Sequence, residues 1–412
     1  MAQYIVKRNP KYDFVGQSYA SVYPNLHRYP ATMIPQIGIE LFKELNISNG
    51  KMLDPYCGSG SSFIVGLDRN LSEMHGFDLN PLAVLITRAK FTRVGIIELE
   101  KQKQELRNKI FEFSKKEENI KTIEQPSFYN IHFWFSKEIL IKLSIVKFFI
   151  NKIRDKDIKR FFWVPFSETI RECSYTRSGE FKLYRIKSED ITNFNPDVFE
   201  IYFYKLNKAI SIYKNNYFPL LTEAKIHVDY DKFEKKSNYY DIVLTSPPYG
   251  DSRTTVAYGQ FSMFANEWMG IERARQVDCL LMGGKLVGKK YDQGIIASFI
   301  DNVWKQSHKR ALEVSSFYFD LEKSICDVAS SVKKGGISVY IVGNRRVKNI
   351  QLPTDQFVAE KFEENGFRHL FTYERMLGNK VMPFKNSPTN KTGQRVSTMT
   401  HEYIVVTEKI QL

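Results

Sequence analysis

The stretch KMLDPYCGSGSSFIVGLDRN, residues 51–70, does most to limit what this chain can fold into. It reads as a buried strand ending on an acid (Asp54), a turn with glycines at 58 and 60, and a helix from Ser61. Glycine in such a turn lets the backbone bend sharply and come close to a ligand. The alternation then repeats, with EMHGFD (73–78) as a strand and PLAVLITRAK (81–90) as a helix. Pro81 stands at the first helical position, where its missing N–H costs nothing. IPQIGIELFKEL (34–45) is a short helix before the first strand. Strands alternating with helices imply an α/β sheet, and open sheets of this kind hold ligands beyond the carboxyl ends of their strands.

Farther along, the pattern changes and then resumes. Residues 96–121, 137–153, 157–174 and 195–214 read as charged or amphipathic helices, so residues 94–222 are expected to be a mainly helical insertion. AKIHVDY (224–230), YYDIVLT (239–245) and ISVYIVGN (337–344) are strands. DLEKSICDVASSVKKGG (320–336) reads as a helix closed by its glycine pair, and TDQFVAEKFEENGF (354–367) as a helix stopped at Gly366. RHLFTYERML and EYIVVTEK suggest a terminal antiparallel pair flanking a basic loop at 378–399. Residues 251–318 do not follow the alternation and form a second expected insertion. The core is thereby divided into 1–93, 223–250 and 319–412.

The chain has 412 residues, 43% of them hydrophobic and 14% aromatic, which supports a large core and excludes disorder. Sixty Lys and Arg against 46 Asp and Glu leave a net charge of +14, which favours a polyanionic partner. No apolar run reaches the ~18 residues of a membrane span, and MAQYIVKRNPKYDF is not a signal peptide. Cys57, Cys173, Cys279 and Cys326 lie far apart without metal spacing. A reduced, cytoplasmic, metal-free protein is expected, a monomer or weak dimer.

Two further features suggest a site. Asp78 ends the second strand, where an acid bonds ribose hydroxyls in nucleoside-binding α/β folds, although it equally suits a cap for the helix at Pro81. Asp229, ending the next strand, suits either job too. No phosphate-loop lysine or full dinucleotide fingerprint is present, so the nucleoside would carry no long phosphate chain. In DIVLTSPPYG (241–250) a buried strand delivers Ser246, Pro247, Pro248 and Tyr249 to its carboxyl end. Prolines end the strand and make a rigid corner there.

Together, DPYCGSG and TSPPYG resemble the amino-DNA methyltransferases, which take a methyl group from S-adenosyl-L-methionine. The likeness covers most of residues 24–90 and 224–408. It implies a Rossmann-like methyltransferase sheet, mostly parallel with an antiparallel terminal pair. The serine form of the corner resembles the enzymes that methylate N4 of cytosine. HRYPATMIP resembles the segment that closes over the cofactor, with His27, Tyr29 and Pro30; capping of the next helix is the other reading of His27 and Tyr29. The resemblance thus implies a cofactor site of Tyr29, Pro30, Asp54, Pro55, Cys57, Gly58, Gly60, Asp78, Leu79 and Asp229, with Cys57 packed in the turn. NKVMPFKNSP resembles the late loop beside the target base, with Lys380, Pro383, Phe384 and Lys385. Departures are the insertion at 94–222 and the lack of a separate recognition domain after residue 408.

The chemistry fits that likeness. The cytosine amine is a poor nucleophile because its lone pair is delocalised into the ring. Hydrogen bonds from that amine to the Ser246 hydroxyl and the Pro247 carbonyl would favour tetrahedral geometry, and Tyr249 would stack on the flipped base. Ring-carbon methylation uses a Pro-Cys pair, which is missing here. Double-stranded DNA is the expected partner. Arg171, Arg177, Lys182 and Arg185 in one segment, Arg253 and Thr254 after the corner, and Lys391 and Arg395 in the late loop are candidates for phosphate contact. Residues 251–318 are a candidate recognition region. A cognate restriction endonuclease is the usual companion. Adenine-N6 methylation of DNA is the alternative, and RNA guanine-N2 methylation a weaker one, whose family typically carries Asp before the prolines.

Overall fold

The structure is a computed structural model. It describes residues 4–15, 22–177, 179–221, 223–230, 233, 235–251, 254–377 and 399–411, with the backbone of 385–386 and 396–397.

Eight strands form the main sheet: β1 (Val6–Arg8), β2 (Lys51–Asp54), β3 (Glu73–Phe77), β4 (Lys225–Asp229), β5 (Tyr240–Thr245), β6 (Val332–Val342), β7 (Phe367–Met376) and β8 (His401–Lys409). Their order is β1-β7-β8-β6-β5-β2-β3-β4. Every neighbour pair is parallel except β8, which runs antiparallel to both β6 and β7. This is the expected Rossmann-like, mostly parallel sheet with its antiparallel terminal pair. The reversal to the two sides of β2 follows from the connections: each parallel step needs a helical crossover, whereas β7 and β8 can pair as neighbours.

The central strands are buried on both faces, and their residues Met52, Leu53, Val243, Leu244, Val339 and Ile341 divide between two apolar clusters, one on each side. Crossover helices begin where the sequence places start signals. Pro35 and Pro81 open the helices Pro35–Glu44 and Pro81–Phe91, and Asn80 caps the second by accepting from the Leu82 N–H.

The 94–222 segment is mainly helical. Ile96–Ser114, Lys137–Asn151, Lys156–Glu172 and Val198–Ile212 are its long helices, the last three capped by Ser136, Asp155 and Asp197. It shares the core of the sheet's first face: Lys156–Glu172 packs on Pro81–Phe91 and on Tyr258–Trp268.

One expectation fails. The helix expected over 320–336 spans His308–Ser331, capped by Ser307, and the pair Gly335–Gly336 belongs to β6. There the register against β5 jumps from Val332 opposite Tyr240 to Ile337 opposite Ile242. The glycines serve an irregularity in a strand, which their sequence alone does not distinguish from a helix stop. No helix among the described residues is long and apolar enough to cross a membrane.

Candidate active site

A pocket of about 280 Å³ opens at the carboxyl ends of β2, β3 and β5. Asp54, the last residue of β2, is buried at its base. Its carboxylate accepts from the Thr245 hydroxyl (2.6 Å), the Tyr56 N–H (3.0 Å) and the Ser62 hydroxyl. Burial pushes the carboxyl up to about 6, against the pull of those three donors. The turn then folds tightly. Gly60 sits at φ +81°, and a Cβ there would lie 2.5 Å from the Phe91 ring. Gly58, at φ +50°, gives its N–H to Asp78 at 3.0 Å and has only Tyr29 near the space a Cβ would fill. Asp78 also accepts from the Asn80 N–H (2.8 Å), and burial lifts its carboxyl to about 6. The cap of the following helix is therefore Asn80, leaving Asp78 on the pocket wall.

The segment before the first core helix covers one side. Tyr29 is buried, stacked on Tyr258 at 6.0 Å, and its hydroxyl accepts from the Asn80 side-chain amide at 3.1 Å. Lys90 braces the turn from beneath, donating to the Ser59 carbonyl (2.7 Å) and to Asn25 (3.3 Å). Burial lowers its amine to about 7. His27 is buried and pushed down to about 4 by that burial, so it is neutral near pH 7.

From the other side come Ser246 and Pro248. The Ser246 hydroxyl donates to the Tyr249 hydroxyl at 3.1 Å, which donates to Glu402 at 3.1 Å. Behind the corner the chain is clamped. Asp251 is buried and accepts from Arg345 at 2.8 Å, with Arg310 3.9 Å away. Burial alone would raise that carboxyl, but Arg345 and Thr254 outweigh it and hold it below the ordinary range. A Cβ on Gly250 would fall 2.1 Å from the Arg345 guanidinium, so only glycine admits this clamp.

An acid-ended strand, a glycine turn and an acceptor-bearing proline corner thus share one cavity. Residues 32–277 match the family model of the D12 class N6 adenine-specific DNA methyltransferases. Type II methyltransferase M.MvaI of Kocuria varians is 37% identical over 413 aligned residues, covering 92% of this chain and 89% of the relative. The chain belongs to the D12-class DNA methyltransferases. It is accordingly an S-adenosyl-L-methionine-dependent DNA methyltransferase of the Type II restriction-modification kind. Among solved structures, a candidate DNA modification methylase from Thermus thermophilus, complexed with S-adenosyl-L-methionine, is 21% identical over 24% of this chain and 40% of its own, with a TM-score of 0.18. The rRNA methyltransferase aviRa of Streptomyces viridochromogenes is 10% identical over 97% of this chain and 96% of its own, with a TM-score of 0.34.

In this methyltransferase the pocket gathers Tyr29, Asp54, Pro55, Cys57, Gly58, Asp78, Leu79, Ser246 and Pro248. Cys57 is buried, and that burial holds its thiol well above its usual range. Pro30, Gly60, Pro247 and Tyr249 lie outside the lining. Asp229 is not brought to the pocket: it is exposed at the end of the edge strand and pairs with Arg88 at 3.3 Å. Arg171 is not free for DNA either. Its guanidinium donates to the carbonyls of Phe261, Glu180, Phe181 and Lys182, and burial lowers it to about 10. Thr254 hydrogen-bonds Asp251, Arg345 and Arg310. Arg177 is exposed, and Arg185 lies over the Phe133 ring at 4.1 Å. Arg253, Lys380, Pro383, Phe384, Lys391, Arg395 and the Lys385 side chain lie outside the described residues.

Sequence reasoning missed Tyr258, Met282, Asp320 and Lys323, which are also part of the lining. Nothing in their local sequence marks them, since they come from the second insertion and from the helix whose start was misplaced. Glu73, His75 and His227 are the only group of metal-ligand type among the described residues, and they lie near the start of β3, away from the pocket. Glu73 is already held by Tyr239 (2.6 Å), His75 (2.6 Å) and Lys51 (3.4 Å).

Proposed function

We propose that this methyltransferase moves the methyl group of S-adenosyl-L-methionine to the exocyclic N4 amine of a cytosine flipped out of duplex DNA. The observation that carries the reading is Ser246, a neutral hydroxyl at the proline corner, in the same pocket as Asp54, Gly58 and Asp78. Gly58 and Asp78 suit the cofactor: Asp78 offers carboxylate acceptors for ribose hydroxyls, and Tyr29 and Tyr258 supply aromatic surface for the adenine. Pro55, Cys57 and Leu79 line the space between. Ser246 and the Pro247 carbonyl accept hydrogen bonds from the amine's N–H groups and turn its lone pair toward the sulfonium methyl. The S–CH3 bond breaks as the N–CH3 bond forms, and the methylated amine then releases one proton to water. The corner contributes by positioning and by acceptors already in place.

Adenine N6 is the second reading, favoured by the description of the family that the chain matches. The same corner can hold either amine. The net charge of +14 suits DNA as the partner, and a cognate endonuclease is proposed from the Type II relative.

The test is incubation with labelled S-adenosyl-L-methionine and mixed-sequence duplex DNA, followed by digestion to nucleosides. Label in N4-methylcytosine is the expected result. Label in N6-methyladenine overturns the base assignment while keeping the mechanism, and label confined to RNA overturns the substrate.

A further inference from the structure

We propose that Glu402 and Arg375 are a positioning pair that fixes the direction of the Ser246 hydroxyl, so that its oxygen meets the target amine only as an acceptor. The inference rests on the reading of Ser246 given above and adds how that serine is set.

Ser246 Oγ donates to the Tyr249 hydroxyl at 3.1 Å, and Tyr249 donates to Glu402 Oε1 at 3.1 Å. The other oxygen, Oε2, accepts from Arg375 Nη1 at 3.3 Å. Glu402 and Arg375 are directly opposed in the β8–β7 register, and both are buried, at 5% and 1% exposure. An ionised carboxylate has no proton to give, and arginine can only donate. The carboxylate therefore orients the Tyr249 O–H toward itself, which turns a Tyr249 lone pair to Ser246. Ser246 commits its single proton to Tyr249 and keeps its remaining lone-pair capacity for the pocket.

Direction matters for the chemistry. A serine free to rotate can donate its proton to the amine's lone pair, the same pair that must attack the methyl. A serine whose proton is committed can only accept an N–H, which raises the electron density on nitrogen. A buried Arg–Glu pair is also a poor means of stabilising two strands, since its desolvation offsets most of its attraction. Its position at the end of a hydrogen-bond chain leading to the corner gives it a use that apolar residues cannot fill.

The experiment compares S246A, Y249F and E402Q, and the doubles S246A/Y249F and S246A/E402Q, in the full chain by single-turnover methylation. Y249F keeps the ring and removes the relay. The expected result is a rate loss on the order of tenfold to a hundredfold for Y249F and E402Q, with the S-adenosyl-L-methionine Kd and the DNA KM within about twofold of wild type. In the S246A background neither change should cost anything further, because both act through that serine. Wild-type rates for Y249F and E402Q beside a crippled S246A overturn the relay and spare the corner. Losses that add in full to that of S246A also overturn the relay, assigning the pair a structural role. An S246A protein as active as wild type overturns the reading of the corner itself. Should E402Q fail to fold, the Y249F cycle decides alone.

Discussion

Thr245 gives its hydroxyl to Asp54 at 2.6 Å, joining the strand that ends in the proline corner to the strand that ends in the glycine turn. Both residues are buried, and the two strands are direct neighbours in the sheet. The bond ties the two halves of the pocket together beyond the backbone pairing of the strands. Replacing Thr245 with valine keeps the shape and leaves a buried carboxylate short of one donor. The variant should lose about 1–3 kcal/mol of stability and bind S-adenosyl-L-methionine several-fold more weakly. Chemical denaturation and calorimetric titration check the two effects, and unchanged affinity would show that the halves are set by other contacts.

The Asp54 carboxyl also predicts a pH dependence. Its value in the fold is raised from 3.8 to about 6 by burial. A raised value means that the folded state holds the proton more tightly than the unfolded chain. The stabilisation is thus full below about pH 4 and is lost as pH rises through about 6. Asp54→Asn cannot titrate. The unfolding free energy of wild type minus that of the variant should fall between pH 4 and pH 7, and a flat difference would show that the carboxyl titrates normally.

How much of this site was visible beforehand depends on how local each part is. The glycine turn, Asp78 and Ser246 each sit at a strand end beside turn residues, so short stretches reveal them. The Rossmann-like sheet was legible for the same reason, through alternation of strands and helices. Glu402, Arg375 and Arg345 were not, because they meet the corner only through the order β5-β6-β8-β7, which no short stretch encodes. Asp229 misled because ending a strand does not tell whether the strand lies beside the pocket or at the sheet's edge. Tyr258 lies in a segment with no alternation to read, yet it stacks on Tyr29.

Gly250 is a glycine because of Arg345, not because of a special backbone angle. A Cβ there would lie 2.1 Å from the guanidinium that holds Asp251. Gly250→Ala should displace Arg345 and loosen the chain just after the corner. The expected outcome is a methylation rate reduced on the order of tenfold or more, with cofactor affinity nearly unchanged, because the clamp lies outside the pocket lining. Single-turnover rates beside cofactor titration separate the two, and an equal loss of both would place the clamp's effect on the whole site.

Arg171 stands in a basic stretch that reads as a phosphate-contacting segment, but its guanidinium faces inward. It ties the carbonyls of residues 180–182 and Phe261 together, and it lies over the Phe261 ring at 4.8 Å. Phe261 in turn meets Tyr29 edge-on at 6.2 Å, so the brace reaches the pocket wall. A phosphate contact and a brace differ in what salt does. Removing a phosphate contact lowers the slope of log affinity against log salt by about 0.9, whereas removing a brace leaves the slope alone and costs stability. Arg171→Ala is expected to destabilise the protein by on the order of 3 kcal/mol and to leave the salt dependence of DNA binding as in wild type. Thermal unfolding together with DNA titrations at several salt concentrations decides between the two. A slope lowered by a full contact, with the unfolding temperature unmoved, would return Arg171 to the DNA surface.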